Sequence, residues 1–284
     1  GGREMNFGSD LDIFFVHAEE QDEGQCVDYV TSLAQEVLRL LCENTEYGVL
    51  YEVDTRLRPE GKHGPLSLSI DGFREYLRKR VAQWERQALT FSRVIVSAPQ
   101  PRFGEVVEEA IWNAIAVKPT REIFESALSM RLRMQEQAQS NYGTRPNIKT
   151  GFGGLVDAEF IAQLGRMIGG VRLSEGRKGD TRATLECMRS AGLLPDRVAQ
   201  TLMDAYHALR RIQMHLRVND YRAHNVLPDD EDAILTLARG LGFRDRSDLS
   251  VHVEKVTEDM RGAFLLALES LATANTKALG GSLV

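Results

Sequence analysis

An α+β fold in two parts is predicted by three features of this 284-residue chain: short apolar strand patterns near its start, a helical pattern between them, and helical periodicity almost throughout after residue 100. With 43% hydrophobic and 27% charged residues the composition is that of a globular protein, and the length is enough to bury two cores. No run approaches the ~18 apolar residues that would cross a bilayer. The opening Gly1-Gly2-Arg3-Glu4-Met5-Asn6 lacks the apolar centre of a secretory signal, so a cytoplasmic protein with no membrane partner is expected. A net charge of -6 gives no general attraction to nucleic acid. Cys26, Cys42 and Cys187 are odd in number and scattered, which fits neither a disulfide framework nor a zinc site.

Taken in order, residues 10–16 read as an apolar strand opened by two acids. Residues 26–42 carry Val30, Leu33, Val37, Leu40 and Leu41 at helical spacing, and residues 49–57 return to a strand. A loop rich in Gly and Pro, 58–65, leads to a helical stretch over 71–89 and a short strand at 94–96. Helices are then predicted over 105–117, 121–139, 155–168, 180–190, 196–219, 231–241 and 247–274, packed as a bundle. The break between the second and third of these, around Lys149-Thr150-Gly151-Phe152-Gly153-Gly154, is long for a compact bundle, and long ordered breaks often carry function. The expected domains are therefore 1–100 and 101–284.

In a strand, side chains at i and i+2 share a face, so Asp10 and Asp12 project together. Asp54 lies on one face of the second strand with Glu52, Arg56 and Arg58, and joins the pair if the two strands are neighbours. Carboxylates within ~4 Å repel by roughly 4 kcal/mol per pair at an effective dielectric of ~20, which only protons or cations relieve. Hard oxygen donors on a partly open site suit Mg²⁺, which completes its shell with water and substrate phosphates. Solvated acids at a strand start are the plain alternative. Gly1, Gly2 and Ser9 weigh against it, because small residues let backbone N–H groups approach phosphate oxygens.

Gly1-Gly2, a short spacer, Ser9-Asp10-Leu11-Asp12-Ile13 and a later Val53-Asp54-Thr55 resemble the signature of polymerase-β-type nucleotidyltransferases. The longer strings from Gly1 to Asp12, from Tyr51 to Pro59, Trp84-Glu85-Arg86-Gln87-Ala88-Leu89 and Gly153 to Phe160 resemble the glutamine synthetase adenylyltransferase family, and together they span most of the chain. The resemblance implies a polymerase-β-like catalytic domain followed by an α-helical bundle, one catalytic half of a bifunctional enzyme whose chain here starts inside the first motif. It implies transfer of AMP from ATP to a tyrosine of glutamine synthetase, which regulates nitrogen assimilation. The alternatives are phosphorolytic removal of that AMP with release of ADP, or a non-catalytic module binding nucleotide or the PII signal protein. Gly61-Lys62-His63-Gly64-Pro65-Leu66 and Met130-Arg131-Leu132-Arg133-Met134 are more similar to the adenylylating half, whereas His224-Asn225-Val226-Leu227-Pro228 is similar to sequence behind the deadenylylating one. By resemblance Asp10, Asp12 and Asp54 are catalytic and hold Mg²⁺, Asp54 being a third ligand or the acceptor of the tyrosine proton. Gly1, Gly2 and Ser9 would contact the triphosphate.

Arg56 and Arg58 could pair with phosphates or with the acids themselves, and Lys62 reads equally as a solvated lysine. Trp84 is expected in the core with Glu85 paired to an arginine. Lys149, Asp157 and Glu159 flank a helix start, where exposed N–H groups favour an anion and where Asp157 could equally cap the helix. His207, His215 and His224 are spaced too irregularly for a metal site.

Overall fold

A computed structural model describes residues 2–6, 8–18, 23–46, 48, 51–95, 101–169, 179–220 and 225–278. It is mostly helical with a few short parallel strands, an α+β protein. Contacts divide the described chain into two compact units: one from residues 8–115, the other from residues 116–278 together with residues 2–6. None of its described helices is long and apolar enough to cross a membrane.

In the first unit the stretch read as one strand is broken. Strand β1 is Leu11–Asp12 and β2 is Phe15–His17. Helix α1, Glu23–Cys42, leads to β3, Val53–Asp54, which lies parallel to β1 with Leu11 opposite Val53 and Asp12 opposite Asp54. Parallel neighbours need a crossover, and α1 supplies it. Backbone N–H groups of Leu11 and Ile13 donate to Glu52 and Asp54 carbonyls at 2.8 and 3.0 Å. Strand β4, Ser67–Ser69, pairs parallel with β2 in a stretch to which the sequence assigned no element. The strand expected at 94–96 is absent at Val94 and Ile95, while Val96 lies outside the described residues. Helix α1 also faces differently from its apolar pattern: Ala34 is its buried residue and Leu33 and Leu40 are exposed.

The continuous helix expected over 71–89 is two helices, α2 at Ile70–Lys79 and α3 at Gln83–Leu89. The Ser69 hydroxyl opens α2 by accepting from Gly72 N–H at 3.1 Å, the ordinary N-cap bond. Glu85 opens α3, accepting from Ala82 N–H at 2.7 Å. Ile70, Phe73, Tyr76 and Leu77 of α2 then form one core with Val107, Ile111 and Ile115 of α4, Pro101–Ile115. That burial joins α4 to the first unit, past the sequence boundary at residue 100. Arg86 reinforces it by donating to the Ala114 carbonyl near the open end of α4.

The second unit is a helical bundle: α5 (Arg121–Tyr142), α6 (Leu155–Gly169), α7 (Thr181–Ser190), α8 (Asp196–Asp220), α9 (Glu231–Leu241) and α10 (Arg246–Ala278). Each falls within a few residues of its sequence expectation. Along α10, Leu249, Val253, Val256, Met260, Ala263, Ala267 and Leu271 are buried at alternating spacings of mostly three and four, the seam of a helix packed along a neighbour. Helix α6 is buried on nearly every side, which marks it as the centre of the bundle.

The Gly-rich break before α6 is an ordered turn. The Asn147 side chain accepts from the Lys149 and Thr150 N–H groups, both at 3.0 Å, and Ile148 is fully buried. Gly153 adopts φ +60, and a Cβ there would lie 1.8 Å from the Thr257 carbonyl oxygen of α10. Gly153→Ala therefore combines a left-handed backbone with a backbone clash and is expected to destabilise the second unit by about 2–5 kcal/mol, read from thermal melting.

Candidate active site

The β1–β3 rung sets Asp12 beside Asp54. Asp12 in β1 and Asp10 just before the strand are exposed, while Leu11 and Ile13 are half-buried. Asp54 is the more enclosed of the three and holds the best-defined partner. Arg56 Nε donates to both Asp54 oxygens, at 2.9 and 2.7 Å, its Nη2 adds a short contact, and Arg56 N–H donates to Oδ1 at 2.8 Å. These bonds hold the Asp54 carboxyl below the usual carboxylate range, with a smaller pull from Lys62. Arg56 is itself raised, first by Asp54 and then by the fields of Asp12 and Asp10. All three carboxylates thus act on one guanidinium.

Among the described residues no group of three or more His, Cys, Asp or Glu side chains stands arranged as a metal cage. The donor chemistry nevertheless fits a hard divalent cation: the carboxylate oxygens of Asp12 and Asp54 on one rung, exposed Asp10 two residues before, and a positive group already balancing them. Arg56 occupies the place of the counter-charge. The sequence left open whether it meets phosphate or acid, and here it meets acid. Arg56→Gln is expected to return the Asp54 carboxyl upward, so that Asp54 takes up its proton at a higher pH as a solution is acidified. Carboxyl ¹³C titration of Asp54 measures this directly.

Arg58 turns away from the acids and braces the following loop. Its Nη1 donates to the Thr55 hydroxyl at 2.7 Å and carbonyl at 3.1 Å, while Nε and Nη2 reach the Gly64 and Lys62 carbonyls at 3.2 Å. The turn closes tightly, since a Cβ on Gly64 would lie 2.1 Å from the Pro59 carbonyl oxygen. Ser9 is half-buried immediately before the acids, after Gly8 at φ 62. Gly1 lies outside the described residues. Gly2 belongs with residues that pack on the helical unit, held by Glu4. The Glu4 carboxylate accepts from Thr181 N–H at 3.1 Å, the Thr181 hydroxyl at 2.7 Å and the Tyr206 hydroxyl at 2.7 Å, and Arg210 donates to the Glu4 carbonyl at 2.7 Å. No sequence pattern announces this anchor, because its partners lie some 180 to 200 positions away.

Two sequence expectations change. Trp84 is 47% exposed, not core, and Glu85 accepts from the Tyr76 hydroxyl where an arginine was expected. Asp157 is neither a cap nor part of an anion site. It is fully buried, bonded to Arg131 Nε and 3.2 Å from Arg261 Nε, while Arg131 also donates to the Thr150 and Gly151 carbonyls. The N–H groups of Leu155, Val156 and Asp157 are spent on the Ile148, Lys149 and Gly154 carbonyls, which leaves the start of α6 no donors there for an anion.

Beside the acids a cavity of about 230 Å³ opens between the strands and helices α2 and α3, with Asp12, Phe14, Tyr76, Glu85 and Phe91 among its walls.

Residues 1–106 match the family model for glutamate-ammonia ligase adenylyltransferase, and residues 122–265 match that for PII-uridylyltransferase. The chain is 31% identical over 276 residues to the bifunctional glutamine synthetase adenylyltransferase/adenylyl-removing enzyme of Psychromonas ingrahamii. It is 32% identical over 298 residues to that of Ralstonia nicotianae and 32% over 255 residues to that of Cutibacterium acnes. These alignments take in 93%, 93% and 88% of this chain but 28%, 30% and 25% of the relatives, so the chain spans under a third of their length.

Proposed function

Because the chain belongs to the glutamate-ammonia ligase adenylyltransferase family, we propose that it transfers AMP from ATP to a tyrosine hydroxyl of glutamine synthetase, with Mg²⁺ held by Asp10, Asp12 and Asp54. The observation that carries this reading is the parallel rung Asp12–Asp54, with Arg56 bonded to Asp54. The first unit, α4 included, then acts as a polymerase-β-like nucleotidyltransferase domain, and the helical bundle of the second unit follows it in the sequence. The setting is the cytoplasm.

Bound Mg²⁺ would neutralise phosphate charge and orient the α-phosphate for in-line attack. The remaining roles fall to the chain. Ser9, immediately before the acids, offers its backbone N–H group to the triphosphate. Arg56, exchanging Asp54 for a phosphate oxygen, follows the charge that develops during transfer. Asp54, released from Arg56, would receive the tyrosine proton or complete the metal shell. Arg58 contributes by fixing the loop that begins just after Asp54.

A second reading is the reverse task, phosphorolytic removal of AMP, which the relatives' name also includes. A uridylyltransferase activity is less well supported, since the match to that model covers the helical unit and leaves out the acids. Two incubations decide. Unmodified glutamine synthetase with ATP labelled in its α-phosphate should become labelled if the chain adenylylates. Adenylylated glutamine synthetase with inorganic phosphate should release ADP if it removes AMP. Neither product, together with ATP binding indifferent to Mg²⁺, would instead mark a regulatory module that binds nucleotide or PII protein.

A further inference from the structure

We infer that the cavity beside Asp12 is the nucleobase pocket, a slot that takes the amine-bearing ring of ATP and leaves the ribose and phosphates at its mouth. The inference rests on the reading of the three aspartates as the triphosphate site.

Size is the first constraint. At about 230 Å³ the cavity falls below the roughly 300–1,000 Å³ of pockets that enclose a whole small ligand, so it suits one ring system and not a nucleoside triphosphate. Chemistry is the second. Phe14, Phe73, Tyr76 and Phe91 line it with aromatic surface, and its two charged walls, Asp12 and Glu85, are both acidic. The Glu85 carboxylate disfavours phosphate within the cavity, while a flat ring carrying an N–H donor is favoured. Glu85 accepts from the Tyr76 hydroxyl and from Ala82 N–H, one bond on each oxygen, and each oxygen keeps a further lone pair for an exocyclic amine.

Orientation is the third. Asp12 is exposed, whereas Phe73 is 1% and Tyr76 6% exposed, so the acid marks the mouth and the aromatic residues the inner wall. An acceptor tyrosine entering such a pocket would lead with its hydroxyl and carry the nucleophilic oxygen past the acids. A nucleotide entering base-first keeps its phosphates beside them. The geometry therefore favours the base over the acceptor side chain. Glu85 also gives a reason for choosing adenine over guanine: a carboxylate accepts from the adenine amine, and would face the carbonyl oxygen that guanine carries at the same ring position.

The test is calorimetric titration of the chain in Mg²⁺ with ATP, GTP and inorganic tripolyphosphate, and with adenosine alone. It is repeated on Ala88→Phe, which fills the cavity from α3, and on the milder Ala88→Val. ATP should bind about 10-fold or more tighter than tripolyphosphate, the order of one base stacked on aromatic surface, and tighter than GTP through the exocyclic amine that Glu85 accepts. In Ala88→Phe, ATP should fall to the tripolyphosphate level and adenosine binding should vanish, with tripolyphosphate unchanged and Ala88→Val intermediate. ATP binding no tighter than tripolyphosphate in the unaltered chain, or an ATP preference surviving in Ala88→Phe, would overturn the pocket. Adenosine binding that is lost in Ala88→Phe while tripolyphosphate binds neither form would keep the pocket and overturn the aspartate site.

Discussion

Asp12→Asn and Asp54→Asn should each lower nucleotidyl transfer by about 10³-fold, equivalent to about 4 kcal/mol of transition-state stabilisation. Each change removes one negative charge from a rung where two carboxylates face one another, and leaves a side chain of nearly the same shape. Stability should move little, since relieving repulsion between neighbouring acids offsets the loss of the Arg56 bonds at an open site. The two variants should differ in one respect. Asp54→Asn frees Arg56 from its chief partner and should keep much of its affinity for triphosphate, so the loss falls mostly on kcat. Asp12→Asn leaves Arg56 on Asp54 and should raise KM for ATP as well. Steady-state rates with varied ATP separate the two.

Asp157→Ala is expected to have the largest effect on stability, about 3–5 kcal/mol, seen as a fall of roughly 10 °C or more in the melting of the helical unit. Asp157, Arg131 and Arg261 come from three helices and are almost wholly buried. Burying a carboxylate and two guanidiniums is costly, and what makes it tolerable is their contact with one another and with the Thr150 and Gly151 carbonyls. Removing the carboxylate strands both guanidiniums. Arg131 can still reach the two carbonyls, but Arg261 keeps, among the described residues, Gln135, Phe152 and Phe264 as close partners. Replacing Asp157 and Arg131 together by leucine and methionine should recover a large part of the loss, which would separate unpaired charge from lost packing.

Helices were legible in the sequence because apolar spacing is local: every helix of the bundle follows its pattern, and α10 shows its seam at alternating intervals. The acid pair stands out in the sequence for the same reason, since the two-residue period of a strand would place Asp10 and Asp12 together; β1 itself begins at Leu11, between them. Asp54 needed one further assumption, that its strand lies beside theirs, and the rung bears that out. What pattern could not supply is pairing across the chain. Tyr76 with Glu85, Asp157 with Arg131 and Arg261, and Glu4 with Thr181 and Tyr206 depend on how elements pack, and a lone polar residue in a helix gives no sign of its partner. Strand β4 went unread because Ser67-Leu68-Ser69 is too short to show a period. The aromatic cavity went unread because its walls come from separate segments.

On the proposed function the three aspartates hold a divalent metal against a nucleoside triphosphate. Mn²⁺, as a paramagnetic substitute for Mg²⁺, can be followed by electron paramagnetic resonance as ATP is added to the chain. ATP should promote retention of Mn²⁺ by the protein, and Asp10→Asn, Asp12→Asn and Asp54→Asn should each release it to the level of Mn²⁺–ATP in buffer. Retention unchanged across all three variants would contradict the account.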